Sequence, residues 1–66
     1  MNGIYSTGRY LLTGSTYTNA YTTSAIRGTL EVINTGTSVI QRVTEAYPSV
    51  TVHERGRWNG NWTEWN

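Results

Sequence analysis

The residues best suited to binding chemistry lie near the C-terminal end of this chain, where aromatic and cationic side chains alternate. All three tryptophans fall between positions 58 and 65, and two of the five arginines, Arg55 and Arg57, precede them. An indole ring such as that of Trp62 stacks on the apolar face of a sugar, while a guanidinium donates hydrogen bonds or pairs with an anionic group. This combination predicts a binding surface for glycans.

Two alternatives remain open for the same side chains. Arg57 would cover Trp62 within one molecule by a cation–π contact, worth about 0.5–1 kcal/mol at an exposed site. Alternatively, the surface is buried between subunits, because Trp, Tyr and Arg are the enriched anchors of interfaces. Tyrosines in the Thr-rich stretch at residues 14–24 suit ligand contact and packing equally. The candidate residues for a glycan site or a subunit interface are therefore Trp62, Arg57, Arg55, Tyr17 and Tyr21.

Catalysis is not expected from the titratable residues. Glycoside hydrolysis needs two carboxyl groups at a defined separation, but the four glutamates are spread along predicted strands. His53 is the only histidine, and no nucleophile-elbow motif supplies the serine of a triad. The chain has no cysteine, which excludes disulfides and thiolate metal sites. We expect a protein without enzymatic activity or cofactor, and a single chain has too few ligands for a metal. A metal site on a three-fold axis stays open, because three copies of His53 or of a glutamate would converge there.

Composition and size indicate a small all-β domain. Nearly half of the 66 residues are Thr, Ser, Asn or Gly, with only three Ala and three Leu. A formal net charge of +1 lacks the basic excess of a nucleic-acid binder, and no segment approaches the ~20 apolar residues that a membrane span needs. Such a composition suits an extracellular or virion surface. A monomer this small buries only about 60% of its unfolded surface, so we expect self-association.

Five short strands are predicted, joined by turns into an antiparallel meander that forms a single domain over residues 1–66. Residues 1–6 precede the strands and are expected as a flexible or linking segment. Gly28 indicates a bulge or a close backbone approach in the second strand. Pro48 is expected to end the third strand, because proline donates no hydrogen bond to a ladder. The predicted strands span residues 8–13, 25–33, 38–46, 50–58 and 61–65.

The last two strands are predicted to form a hairpin around Asn59-Gly60, a dipeptide that accepts the positive φ required at both positions of a tight turn. A two-residue turn places Arg57 opposite Trp62, and Arg55 opposite Glu64 as an exposed ion pair worth about 0–1 kcal/mol. A three-residue turn with a bulge at Gly60 would instead place Trp58 opposite Trp62, and it would undo the assignment of side chains to the two faces.

Strand alternation divides the side chains of the hairpin between two faces. One face carries Val50, Val52, Trp58 and Trp65, and the other carries His53, Arg55, Arg57, Trp62 and Glu64. Because the first set is apolar, we expect it in the core together with Leu30 and Val32, and we expect the second set at the surface. In the third strand, one face carries Val39, Gln41 and Val43.

Several short motifs follow one another along almost the whole chain, from about Thr7 to Trp65. They are Thr7-Gly8-Arg9-Tyr10, Thr18-Asn19-Ala20, Gly28-Thr29-Leu30-Glu31-Val32, Gln41, Arg55 and the closing segment from Trp58 to Trp65. Their order resembles the pyocin-knob type of module found in phage tail fibres, neck appendages and phage-tail-like bacteriocins. Two positions depart from that pattern: Tyr21 stands where such modules often have proline, and Trp58 where they often have tyrosine.

The resemblance implies a small β-module at the distal part of a fibre, commonly a homotrimer, that meets the bacterial surface. On that basis we expect a non-enzymatic receptor-binding module of the virion that attaches to bacterial polysaccharide or lipopolysaccharide, with no nucleic-acid partner and no membrane insertion. A structural cap or trimerisation module without receptor contact is one alternative. A carbohydrate-binding appendage of a phage lysin or depolymerase is another.

Overall fold

The computed structural model describes residues 1–47 and 49–66 and shows one five-stranded antiparallel sheet. The strands are adjacent in chain order, so the expected all-β antiparallel meander is confirmed. Pro48, which was expected to end the third strand, lies outside the described residues. The five strands are β1 Gly8–Ser15, β2 Ile26–Asn34, β3 Ser38–Glu45, β4 Thr51–Trp58 and β5 Asn61–Trp62.

Strand β5 is shorter than expected and ends three residues early, at Trp62. Thr63 still donates its N–H to the Gly56 carbonyl at 2.8 Å, in register with β4. Asn66 donates to the Glu54 carbonyl at 2.9 Å, which is one residue out of that register. A one-residue slip moves side chains to the opposite face of a sheet. It accounts for the position of the Trp65 ring on the same side as Arg55, rather than beside Trp58.

The core lies on one face of the sheet, which we call the inner face. Leu30 and Val32 are fully buried there, as expected. Their neighbours across the strands fix the rest of the face: Leu30 lies opposite Val43, and Val32 lies opposite Gln41. The buried apolar residues are Met1, Leu12, Ile26, Leu30, Val32, Val39 and Val43, with Tyr17, Trp62 and Trp65 among the half-buried rings packed on them.

The expected core assignment of Val50, Val52 and Trp58 is wrong. Their exposed fractions are 76%, 51% and 58%, so they lie on the outer face or at its edge. The physical reason is the pairing with β3, in which Gln41 lies opposite Arg55. Residues directly opposite each other in a ladder share a face, so the polar side chains of β4 face inward. Apolar residue type alone does not decide which face is buried.

Residues 1–6 cover the inner face beside β4 and take part in the packing, in place of the flexible or linking segment expected. Met1 is buried, and Gln41 donates from Nε2 to the Met1 carbonyl at 2.7 Å and to the Ile4 carbonyl at 3.1 Å. Further along, Asn34 donates from Nδ2 to the Tyr5 carbonyl at 2.9 Å. The segment therefore acts as an extra layer over a sheet that has few apolar residues of its own.

Gly28 is a site of close backbone approach, which was one of the two alternatives expected for it; the other was a bulge. A Cβ atom at this position would lie 1.9 Å from the Thr44 carbonyl oxygen of β3. The irregularity of the β1–β2 ladder lies elsewhere, between Thr13 and Ser15, where Gly14 has a φ of +96°. Only glycine adopts that conformation readily.

Candidate functional site

Three basic residues alternate with aromatic rings along the inner face of β4. His53, Arg55 and Arg57 lie two residues apart on this strand, so they project to the same side. Rings from the N-terminal segment, the β1–β2 loop and the C-terminal segment pack between and against them. We call this set the basic–aromatic row; in spatial order it comprises His53, Tyr21, Trp65, Arg55, Trp62, Tyr5 and Arg57.

The centre of the row is a buried arginine whose hydrogen bonds go to neutral oxygens. Arg55 is only 8% exposed. Its Nε donates to Gln41 Oε1 at 2.9 Å, and its Nη2 donates to Asn2 Oδ1 at 2.8 Å. The guanidinium carbon lies 4.0 Å from the centroid of the Trp62 ring and 4.6 Å from that of Trp65. Burial lowers the pKa of Arg55, and the two rings and two amides stabilise its charge in place of a carboxylate.

One end of the row holds a tyrosine that is kept protonated. The Tyr21 ring stacks on His53 with a centroid separation of 3.7 Å and an interplanar angle of 11°. Its hydroxyl donates a hydrogen bond to Glu45 Oε1. Burial, together with the hydrogen bond to Glu45 and the negative charge of Glu45, raises the pKa of Tyr21 to about 12. His53 Nδ1 lies 2.9 Å from the Asn66 carbonyl oxygen. These contacts hold the loop and the C-terminus on the sheet.

The other end of the row opens into a polar cleft, where two turns and the N-terminal segment meet. The cleft has a volume of about 230 Å³. The guanidinium carbon of Arg57 lies 5.0 Å from the centroid of the Tyr5 ring, which is 40% exposed. The cleft is lined by Tyr5, Asn34, Gly36, Thr37, Ser38, Val39, Arg57, Asn59 and Gly60.

Local hydrogen bonds fix the wall of this cleft before any ligand arrives. Asn34 accepts from the Gly36 N–H at 2.8 Å and donates to the Tyr5 carbonyl, so it ties the β2–β3 turn to the N-terminal segment. In the opposite wall, Asn59 and Gly60 have φ values of +53° and +81°, the conformation in which Asn and Gly are favoured. A site assembled in this way loses little conformational entropy on binding.

Arg57 differs from Arg55 in what its guanidinium contacts. Within the part of the chain that the structure describes, the side chain of Arg57 forms no hydrogen bond or ion pair, and its guanidinium contacts the ring of Tyr5. A cation–π contact uses the face of the ring and none of the conventional hydrogen-bond acceptors. The donors of Arg57 are therefore available to a ligand in the cleft, whereas those of Arg55 are engaged.

The structure separates the expected site residues. Arg57 lies in the cleft. The ring of Trp62 is not open for stacking on a sugar, because the Arg55 guanidinium covers it and the centroid of the Tyr5 ring lies 6.2 Å from its own centroid. The expected exposed position of Arg55 and its pairing with Glu64 are wrong, because Arg55 is buried and its guanidinium donates to Gln41 and Asn2 instead. Tyr17 and Tyr21 pack against the core.

Tyr5 is the cleft residue that the sequence did not single out. It belongs to the segment expected to be flexible, and no strand period reaches it. The available signal was the tyrosine itself, next to Ile4 in a chain with few apolar residues. Its position depends on hydrogen bonds from Gln41 and Asn34, which are distant in sequence.

The outer face of the sheet forms a second distinctive surface. Four charged residues cross it in alternating sign, one on each of the first four strands, with ion-pair distances of 3.4, 3.7 and 3.3 Å; they are Arg9, Glu31, Arg42 and Glu54. Exposed apolar side chains flank this charge ladder on the face and at its edge, namely Leu11, Ile33, Ile40, Val50, Val52 and Trp58. This combination is more typical of a contact surface than of a fully solvated face.

Metal-ligand clusters and membrane-spanning helices are both absent from the described residues. No three or more His, Cys, Asp or Glu side chains among them come close enough to hold a metal ion. Residues 1–47 and 49–66 also contain no helix long and apolar enough to cross a membrane. Comparison of the chain with family models, with curated proteins and with solved structures gives no match.

Proposed function

We propose that this chain is a non-enzymatic module that binds glycans of the bacterial surface through the cleft at Tyr5 and Arg57. The observation that carries the proposal is the composition of that cleft. A half-exposed aromatic ring and an available guanidinium stand among amide and hydroxyl groups. A sugar presents apolar C–H faces and many hydroxyls, so it is recognised by stacking together with a few placed hydrogen-bond groups.

The biological setting that we propose is a phage tail fibre or a related appendage, with the module facing the host. The support for it is the resemblance of the ordered motifs to pyocin-knob modules, which runs from about Thr7 to Trp65. On this proposal the module is displayed as a homotrimer on the virion, and its partner is cell-surface polysaccharide or lipopolysaccharide. Three copies of a weak site would raise the overall avidity without new contacts.

The test compares two tyrosine variants in binding to purified surface polysaccharides from a panel of bacteria. Tyr5→Ala removes the ring that lines the cleft and is expected to weaken binding at least tenfold. The matched control is Tyr47→Ala, because Tyr47 is 69% exposed and does not line the cleft. Circular dichroism confirms that both variants are folded. Unchanged binding by folded Tyr5→Ala would remove the cleft from the proposal, and absence of binding by the parent protein to every polysaccharide would contradict glycan attachment.

A second candidate function is a structural one, a cap or trimerisation module that registers the chains of a fibre. The outer face favours it, because its apolar side chains are exposed in a single chain and its alternating charges offer complementary positions to a second copy. The third possibility, an appendage of a lysin or depolymerase, is distinguished by the full reading frame, which would encode catalytic motifs elsewhere.

Solution mass separates the structural candidate from a single-chain binder. Size exclusion with light scattering over a hundredfold dilution should give a stable trimer, and Val52→Ser together with Trp58→Ser should lower the mass if the outer face joins the subunits. A persistent monomer at all concentrations would contradict trimerisation and leave the cleft as the binding surface of one chain.

A further inference from the structure

We infer that the cleft selects a sugar unit that carries a carboxylate, such as a uronic acid, and that Arg57 is the residue that makes this selection. The inference rests on the proposed function, since it names the class of saccharide for the same site. It is carried by the charge distribution around the cleft and by the free donors of one arginine.

The lining of the cleft carries a positive charge. Arg57 is the one charged side chain among the nine lining residues, and no carboxylate lines the described site. Three of the four glutamates are engaged elsewhere: Glu31 and Glu54 pair with arginines on the outer face, and Glu45 accepts from Tyr21. An anionic group entering the cleft therefore meets a positive charge with no negative lining residue to repel it.

The geometry of an arginine side chain suits a carboxylate. A guanidinium presents a planar fork of donors that matches a carboxylate in a bidentate arrangement, and such charge-assisted bonds are about twice as strong as neutral ones. Tyr5 contacts the Arg57 guanidinium with its ring, 5.0 Å from the guanidinium carbon to the ring centroid, and its backbone carbonyl accepts from Asn34 rather than from Arg57. The position of the fork is thus restricted while its hydrogen-bonding capacity is retained.

The size of the cleft and the polarity of its lining suit a single sugar unit. A volume of about 230 Å³ is below the ~300–1,000 Å³ of typical ligand pockets, so the cleft accepts about one sugar unit with the remaining chain outside. Thr37 and Asn59 also line the cleft, and they offer a hydroxyl and an amide for the ring hydroxyls of that unit. A single arginine suits a monoanionic carboxylate better than a phosphate, whose extra charge and oxygens call for several donors.

The test is a titration of the ¹⁵N-labelled protein, followed by NMR, with a uronate-containing disaccharide, its carboxyl-reduced counterpart and inorganic phosphate. The uronate compound should bind at least tenfold more tightly than the reduced one, with shifts at Gly36 and Gly60. Arg57→Gln should abolish the difference, and Arg57→Lys should retain part of it, because lysine keeps the charge and loses the fork. The matched control is Arg9→Gln, which removes the same charge from the outer face and should leave the selectivity unchanged.

Each contrary result has a distinct meaning. Equal binding of the two sugars at the cleft would overturn the selection for a carboxylate while supporting the glycan site itself. Tighter binding of phosphate than of the uronate would overturn the inference in favour of a phosphorylated ligand. No binding of the uronate compound would also overturn it, and the polysaccharide assay with Tyr5→Ala would then judge glycan attachment independently.

Discussion

Substitution of Gln41 by leucine tests whether the N-terminal segment is held by a buried polar network. Gln41 is fully buried between Val39 and Val43 on the inner face. Its amide nitrogen donates to two backbone carbonyls of the segment, and its amide oxygen accepts from Arg55. Leucine has a similar volume and makes none of these bonds, so the variant isolates the polar contribution.

The expected cost follows from the groups left without a partner. The Met1 carbonyl keeps a bond from the Ile4 N–H at 3.3 Å, but the Ile4 carbonyl and Arg55 Nε–H lose theirs. Each buried group without a partner costs about 1–3 kcal/mol, and the more apolar leucine returns about 1 kcal/mol. We expect the free energy of unfolding to fall by about 3 kcal/mol. A domain of this length has only about 3–10 kcal/mol in total, so Tm should fall by about 12–24 °C.

Thermal and urea unfolding, followed by circular dichroism, measure this change against Arg42→Leu. Arg42 is the next residue of β3 and forms only exposed ion pairs, so its replacement should cost about 1 kcal/mol or less. The double variant Gln41→Leu/Arg55→Met also lacks the guanidinium that donates to Gln41. We expect its loss of unfolding free energy to be about 1–3 kcal/mol smaller than the summed losses of the two single variants. A Gln41→Leu protein as stable as the Arg42 control, or strictly additive single variants, would refute the buried network.

Three further outcomes are expected from the same packing. Trp62→Ala should lower the free energy of unfolding in urea by about 3 kcal/mol, because the Trp62 ring covers a buried guanidinium. Trp58→Ala should lower it by under about 1 kcal/mol, because Trp58 is exposed. Equal costs of the two substitutions would contradict the assignment of faces. Gly28→Ala should prevent stable folding, since its Cβ would meet a β3 carbonyl at 1.9 Å, while Gly56→Ala, with its nearest contact at 3.6 Å, should give a folded protein by circular dichroism. The pKa of Tyr21 is about 12 in the folded state and near 10 in the unfolded state. The protonated hydroxyl of Tyr21 should therefore contribute its full stabilisation below pH 10, and this contribution should be lost as the pH rises towards 12. Urea unfolding across this range should show that loss, and Tyr21→Phe should lack it.

For β4, the sequence predicts which side chains share a face but not which face is buried. Period-two alternation groups His53, Arg55 and Arg57 correctly, because it is a local property of a strand. The choice of core depends on the register with β3, which places Gln41 opposite Arg55. A glutamine between Val39 and Val43 on one face was the available signal that this core contains polar groups.

The end of the chain shows a second limit of local reasoning. The strand pattern would place Trp65 beside Trp58, and the one-residue slip at Asn66 reverses that placement. The slip is accompanied by contacts far away in sequence: the Trp65 indole N–H donates to the Asn19 carbonyl at 3.1 Å, and its ring meets Arg55. Neither contact can be derived from the spacing of residues within the hairpin.

Arg55 and Arg57 have the same residue type, strand and face, and they differ in what the N-terminal segment places over them. Residues 1–4 bring Asn2 to Arg55 and leave it buried. The next residue of the segment, Tyr5, meets Arg57 by its ring and leaves the donors accessible. The segment therefore divides one row into a structural part and an open cleft.

The stability of the segment and the affinity of the cleft should consequently be coupled. Gln41 holds the Ile4 carbonyl, directly before the ring that lines the cleft. If Gln41→Leu releases this part of the segment while the sheet remains folded, the Tyr5 ring loses its fixed position, and sugar binding should weaken although no lining residue has changed. Binding should be measured at a temperature well below the Tm of the Gln41→Leu protein. If this variant then binds polysaccharide as tightly as the parent protein, the cleft forms independently of residues 1–4, and the division of the row needs another cause.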